Sequence, residues 1–277
     1  MSSKTMFLFD LDGTITKEET LPIIAKKFDL ESEINELTSS TIQGNIPFIE
    51  SFIQRVNILK DLPINEIDQL LKSIVLFKDI VKFIEQNNQN CAIITGNLDV
   101  WVKSLLKRIN CKYYSSSANI KENNIEKISY ILRKEDIVYK YQKQGYKVVV
   151  IGDGNNDLEA MRLADISIAC GLIHHPANSL LTIVDYVIYD EKPLVRLLTQ
   201  IQEEQKGTSI VLSCAGIGSR LGLSMTKALI CIEDKSLIHW QLDAFKNVED
   251  IRIVIGYQAY DVIEEVLKKE KNFIKSR

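Results

Sequence analysis

Two kinds of apolar pattern alternate along this chain. Short, nearly unbroken runs rich in β-branched and aromatic residues stop abruptly at Gly, Asp or Thr: "MFLFDLDGT" at 6–14, "CAIITGN" at 91–97, "KVVVIGDGNND" at 147–157, "DISIACG" at 165–171 and "DYVIYD" at 185–190. Between them, apolar residues recur at three- and four-residue spacing, as on one face of a helix. Strands that are apolar on both faces and alternate with helices predict a parallel sheet covered on both sides. The expected fold class is α/β, a doubly wound parallel sheet.

Two intervals depart from that rhythm. The stretch from "KEETLPII" to "LLKSIV" has helical spacing, no strand signal, and more length than a simple crossover needs. It predicts a small helical cap, about residues 16–77, inserted after the first strand and able to close over an active site. Near the other end, "IQEEQKGTS" at 201–209 is polar and carries a glycine, and a fresh strand pattern, "SIVLSCAGIGSRLG", follows it. This composition shift predicts a linker between a domain at 1–205 and a second segment at 206–277. No internal repeat or low-complexity tract is visible.

Composition narrows the partner. With 277 residues, 45% of them apolar, the chain can bury a substantial core. A formal net charge of -3, with acidic and basic residues interspersed, argues against a nucleic-acid or polybasic membrane surface and for a small charged metabolite. Cys91, Cys111, Cys170, Cys214 and Cys231 are widely spaced and mostly sit in apolar runs, which suits reduced, buried thiols and a cytoplasmic location. There is no signal-peptide pattern and no apolar stretch of roughly 18 residues.

Ligands of open α/β sheets bind beyond the carboxyl ends of the strands. Asp10, Asp12, Thr95, Asp153 and Asp157 all fall at such ends. Four carboxylates sharing one crevice raise one another's pKa, so a set that stays ionised needs a compensating cation. Oxygen-only ligands favour a hard divalent ion, Mg²⁺ most simply. Calcium loops are excluded. Counting from Asp10, the required Gly and Glu positions hold Ile15 and Leu21; from Asp153 they hold Leu158 and Ala164. "GDGNND" also fails as a dinucleotide fingerprint, because Asp157 replaces the third glycine.

"DLDGT", "IITGN", a lysine ahead of the following strand, and "GDGNND" together resemble the four ordered motifs of the haloacid dehalogenase phosphohydrolases. The resemblance implies that Asp10 is the nucleophile, forming an aspartyl-phosphate, and that Asp12 is the general acid and base. It implies that Thr95 and the Gly96 N–H hold phosphoryl oxygens, and that Mg²⁺ is bound by Asp10, Asp12 and Asp153 with support from Asp157. Asn156 is expected at phosphate or substrate. The motif lysine is assigned to Lys134 in "LRKEDIVYKYQ", with Lys140 and Lys143 as alternatives.

Within the cap, "EET" and "ELTSSTIQGNIPFIESFIQRVNILKDLP" resemble the cap of the phosphoserine phosphatases. Carried onto this chain, Glu19 takes a substrate ammonium, Arg55 a carboxylate, and Ile42 and Phe48 form an apolar wall, a set suited to a zwitterionic head. Two positions depart from that family. Asn97 follows Gly96 where a glycine is usual, and Gly13 stands where Ser is often found. The expected activity is therefore a Mg²⁺-dependent phosphomonoesterase acting on phosphoserine, with another amino-alcohol or sugar phosphate as the alternative. His174 and His175 lie in a loop and are expected at the surface.

"VLSCAGIGSRLGLSMTKALICIEDKSLIHWQLDAF" resembles the start of sugar-phosphate nucleotidyltransferases, whose glycine-rich loop binds a nucleoside triphosphate. Gly216, Gly218, Arg220 and Lys227 are the corresponding nucleotide-binding candidates. A Rossmann loop competes but has Leu221 at its third glycine position. The segment is too short for that transferase fold, so a fragment of a second enzyme is expected, within a possible phosphatase/nucleotidyltransferase fusion.

Overall fold

The computed structural model describes residues 4–42, 46–203, 209–218, 222, 225–246, 248, 250–268 and 274–276; side chains at 38, 39, 41, 42, 48, 203 and 274–276 are outside the description. The apolar runs form β1 (Thr5–Phe9), β2 (Cys91–Leu98), β5 (Lys147–Gly152), β6 (Ile166–Cys170) and β7 (Tyr186–Ile188). Two further strands, β3 (Lys112–Lys121) and β4 (Asn124–Tyr130), make an antiparallel hairpin that the sequence pattern does not reveal. Its residues are mostly wet, so no buried alternation marks it, and the turn rests on Glu122 in the left-handed region.

Strand order in the sheet runs β4-β3-β2-β1-β5-β6-β7, and every pair from β3 to β7 is parallel. β1 lies at its centre and explains its own composition. Phe7 and Phe9 face one buried cluster, and Met6 and Leu8 face the other. The first cluster is completed by α5 (Lys78–Gln86), α6 (Asp99–Ile109), α10 (Glu191–Glu203) and the cap; the second by α7 (Lys134–Lys143) and α8 (Leu158–Leu163). Burying both faces of a strand is what selects an apolar run over alternation.

Helices α1 (Thr20–Lys27), α2 (Glu31–Ile42), α3 (Phe48–Leu59) and α4 (Ile64–Lys72) fill the interval expected for the cap. Its two ends are joined by an antiparallel bridge between Thr16 and Leu76, with Lys17 N–H donating to the Val75 carbonyl. The cap thus rises from one narrow neck beside the carboxyl end of β1.

Residues 204–208 of the expected linker lie outside the described residues. Beyond them β8 (Ile210–Cys214), β11 (Ile251–Ile255) and β12 (Ile274–Ser276) form a parallel trio in the order β12-β11-β8. The remaining elements are a short ribbon of β9 (Cys231–Ile232) and β10 (Lys235–Ser236), with α11 (Leu237–Ala244) and α12 (Ala259–Leu267). This segment has its own core around Leu212, Ile238, Ile253 and Val262. β12 pairs antiparallel with β7, so both segments share one ten-stranded sheet. α9 (Asn178–Leu181) is a single turn before β7. Cys91, Cys170 and Cys214 are buried and Cys111 half-buried, as expected of reduced thiols, whereas Cys231 is exposed. No described helix is long and apolar enough to cross a membrane.

Candidate active site

The carboxyl ends of β1, β2 and β5 meet in register, Phe9 standing beside both Ile93 and Ile151. The polar residues that end these strands are therefore delivered to one place. Asp10, whose N–H donates to the Ile151 carbonyl, has its Oδ1 2.7 Å from Lys134 Nζ. The same ammonium lies 2.6 Å from Asp157 Oδ1, and all three side chains are almost wholly removed from water. Lys134 opens α7 and points into the sheet end. Lys140 and Lys143 lie elsewhere, against the rings of Tyr114 and Tyr139.

Asp10, Asp153 and Asp157 place carboxylate oxygens within 4.8 Å of one another. Burial drives the Asp10 carboxyl well above the usual range; Asp157 and Asp153 push it further, and Lys134 opposes them. Asp153 is raised to about 6, chiefly by burial. Lys134 stays charged despite burial because Asp10 and Asp157 flank it. Three buried carboxylates against one ammonium leave negative charge uncompensated, and their donors are all oxygen. This set fits a hard divalent cation. Gly13 makes the packing possible: its φ is +65°, and a Cβ there would stand 2.5 Å from Asp153 Oδ2.

Asp12 takes a different position. Its Oδ1 accepts the Thr20 N–H at 2.7 Å and its Oδ2 accepts Asn97 Nδ2–H at 2.5 Å. These two bonds turn the Asp12 carboxylate, expected among the metal ligands, toward the cap hinge, while it still feels the charge of Asp153. Burial first, then Glu19, raises it to about 7, with the Thr20 N–H opposing. Asn97, expected to contact substrate, is 5% exposed and also donates to Thr20 Oγ1 at 3.0 Å. Its main contacts hold Asp12 in place. Thr95 is fully buried, and its Oγ1 accepts the Asn97 N–H at 3.1 Å.

One cavity of about 180 Å³ joins these groups to the cap, lined by Asp10, Asp12, Gly96, Asn156 and His174 on the sheet side and by Glu19, Phe52 and Arg55 on the cap side. Arg55 is largely buried; desolvation lowers its pKa and Glu19 opposes that shift. Ile42 ends α2 and Phe48 begins α3, and the side chains of both lie outside the described residues.

His174 is exposed, as expected, but its place beside the site was not foreseen: Nε2 stands 3.0 Å from Glu19 Oε1 and 3.1 Å from Asp153 Oδ2, and those hydrogen bonds, Asp153 first, raise it to about 11. A signal was available: "GLIHHP" follows β6 at the same carboxyl edge as the motifs. In the C-terminal segment, a cavity of about 300 Å³ at the end of β8 is lined by Gly216, Gly218, Thr226 and Lys227, while Arg220 lies outside the described residues.

A family model described as haloacid dehalogenase-like hydrolase matches residues 5–165. The phosphoserine phosphatase of Methanocaldococcus jannaschii is 27% identical over 179 residues, covering 60% of this chain and 85% of that protein. That of Lactococcus lactis subsp. lactis is 24% identical over 209 residues, covering 68% and 97%. A solved phospho-aspartyl intermediate analogue of phosphoserine phosphatase superposes with a TM-score of 0.60 at 25% identity, covering 72% of this chain and 99% of that one.

Proposed function

Because the chain belongs to the haloacid dehalogenase-like hydrolases and is a phosphoric monoester hydrolase, we propose that its substrate is phosphoserine, hydrolysed through an aspartyl-phosphate on Asp10. The observation that carries the substrate assignment is that Glu19 and Arg55 line the same cavity as Asp10 and Asp12. A phosphate ester with a zwitterionic head needs one anion for its ammonium, one fixed cation for its carboxylate, and a nucleophile at its phosphate.

Each residue then has a chemical task. Lys134 holds Asp10 Oδ1, and the other carboxylate oxygen attacks phosphorus. As the new P–O bond forms, the ester P–O bond breaks, and Asp12 gives its proton to the departing serine oxygen. Asp12 next takes a proton from water, whose oxygen attacks the phosphorus of the aspartyl-phosphate and frees Asp10 and inorganic phosphate. A group shifted to about 7 suits proton transfer in both directions near neutrality. Thr20 and Asn97 fix the direction in which Asp12 points. Thr95 and the Gly96 N–H bind phosphoryl oxygens, with Asn156 beside them. Asp10, Asp12 and Asp153, with support from Asp157, would hold Mg²⁺, which when bound offsets charge on the phosphate oxygens.

The domain reading follows the same division: 1–205 as the phosphatase and 206–277 as a second segment. A second activity, nucleotide binding at the end of β8, is favoured only by the cavity holding Gly218 and Lys227. Gly218 has φ +70°, and a Cβ there would meet the Met225 carbonyl at 2.7 Å, so this loop does require glycine.

Phosphate release with Mg²⁺ from phosphoserine, phosphoethanolamine, glycerol phosphate, a sugar phosphate and p-nitrophenyl phosphate tests the reading. Phosphoserine is expected to give the highest kcat/KM. Preference for an ester lacking either the amine or the carboxylate refutes the Glu19 and Arg55 assignment.

A further inference from the structure

We propose that Glu19, Asp153 and His174 form a second cation site at the mouth of the cavity, selective for a borderline ion of the Zn²⁺ type over Mg²⁺. The three residues come from the cap hinge, the end of β5 and the loop after β6, and their Oε1, Oδ2 and Nε2 atoms converge.

The orientation of the His174 ring carries the argument. Its Nδ1 lies 2.9 Å from the His175 carbonyl oxygen, which can only accept, so Nδ1 bears a hydrogen and donates it. That leaves Nε2 facing two carboxylate oxygens, with a proton held among the three atoms; a metal ion that binds there releases this proton to solvent and takes its place. Imidazole ligands in metal sites are oriented in this way, the remote N–H tied to a carbonyl or carboxylate. The spacing also fits. Donors about 2.1 Å from one ion stand about 3.0 Å apart at right angles and about 3.4 Å apart at the tetrahedral angle. Here Nε2 is 3.0 and 3.1 Å from its two oxygens. Glu19 and His174 are 38% and 46% exposed, which leaves an ion a path from solvent.

Nitrogen is what separates this site from its neighbour. The Asp10, Asp153 and Asp157 triple offers oxygen alone and suits Mg²⁺; one imidazole among the donors draws Zn²⁺. Asp153 belongs to both sets, and its carboxylate can bridge two ions. The consequence for catalysis rests on the assignment of Glu19 to the substrate ammonium: an ion bound here removes Glu19 from the substrate, so Zn²⁺ raises KM for phosphoserine more than for glycerol phosphate.

Equilibrium dialysis against Zn²⁺ in excess Mg²⁺, without substrate, tests the site independently of that assignment. The wild-type protein is expected to retain one Zn²⁺ per chain. Glu19→Gln and His174→Gln, both exposed changes, should bind it at least about tenfold more weakly while unfolding cooperatively. With Co²⁺ in place of Zn²⁺, a paramagnetically shifted imidazole N–H resonance should appear in the wild type and vanish in His174→Gln. Asp157→Asn should retain the Zn²⁺. Wild-type affinity in both Gln variants, or complete displacement of Zn²⁺ by Mg²⁺, overturns the proposal. Failure of the phosphatase reading would show separately, as no phosphate release without Zn²⁺.

Discussion

Two strand ends in this molecule look alike in outline and differ in what they hold. At the end of β1, Asp10, Lys134 and Asp157 are buried together, and the cavity above them also contains Asp12 and Asp153. At the end of β8, the larger cavity is lined by Ser213, Cys214, Gly216, Ile217, Gly218, Thr226, Lys227 and Ala228, so among the described residues its lining carries no carboxylate, and Lys227 is exposed. Desolvating charge is costly unless it is paired, so a buried charged set persists only where the fold fixes its partners. The first site is committed in that sense: Lys134 from α7 is held between Asp10 at the end of β1 and Asp157 after β5, and the carboxylate charge left over suits a cation. Among the described residues the second places no desolvated charge and makes no comparable commitment.

The contrast is sharpened most by removing a charge from the first site. Asp10→Asn should lower kcat on the order of 10⁴-fold or more, since it removes the proposed nucleophile and Asp157, the other carboxylate beside Lys134, does not line the cavity. Turnover above a hundredth of wild type would break the comparison. Lys134→Met should cost roughly 3–5 kcal/mol in urea unfolding, because Asp10 and Asp157 would be left buried without their shared cation. A loss under about 1 kcal/mol would mean that the charges are better solvated than their burial implies. Arg55→Ala should raise KM for phosphoserine by about 10²-fold, the value of one lost charge-assisted pair, and leave phosphoethanolamine nearly unchanged. Equal losses on both esters would remove Arg55 from carboxylate recognition.

Legibility in the sequence follows the same divide. Asp10, Asp12, Thr95, Asp153 and Asp157 could be placed because an apolar run buried on both faces ends at the sheet edge, and local pattern reports that directly. Lys134 needed more, since helix periodicity treats it, Lys140 and Lys143 alike; the fold alone aims the first inward. His174 is exposed as its loop suggests, but its part in the site was not legible because its partners are Glu19 and Asp153, 155 and 21 residues away, and no local pattern encodes such a meeting. Asn97 lines the cavity, but its contact to Asp12 could not be read for a similar reason, since it spans 85 residues. β12 shows the limit for the fold. Three residues cannot announce that they pair antiparallel with β7 on one side and parallel with β11 on the other.

The smallest effect expected concerns whether the two regions communicate. α12 of the C-terminal segment reaches the loop that bears His174: Glu264 Oε1 lies 2.9 Å from His175 Nε2, and the His175 ring stands between those of Tyr189 and Tyr260. His175 in turn offers its carbonyl to His174 Nδ1. A shift in α12 therefore has a covalent and hydrogen-bonded route to Glu19. The route is weak, because Glu264 and His175 are both more than 40% exposed, and such pairs contribute about 0–1 kcal/mol. Glu264→Gln should accordingly change KM for phosphoserine by no more than about fivefold and leave kcat for glycerol phosphate unaltered. A tenfold fall in kcat on both esters would make α12 part of the catalytic unit, and the boundary between a committed and an uncommitted strand end would no longer coincide with the boundary between the segments.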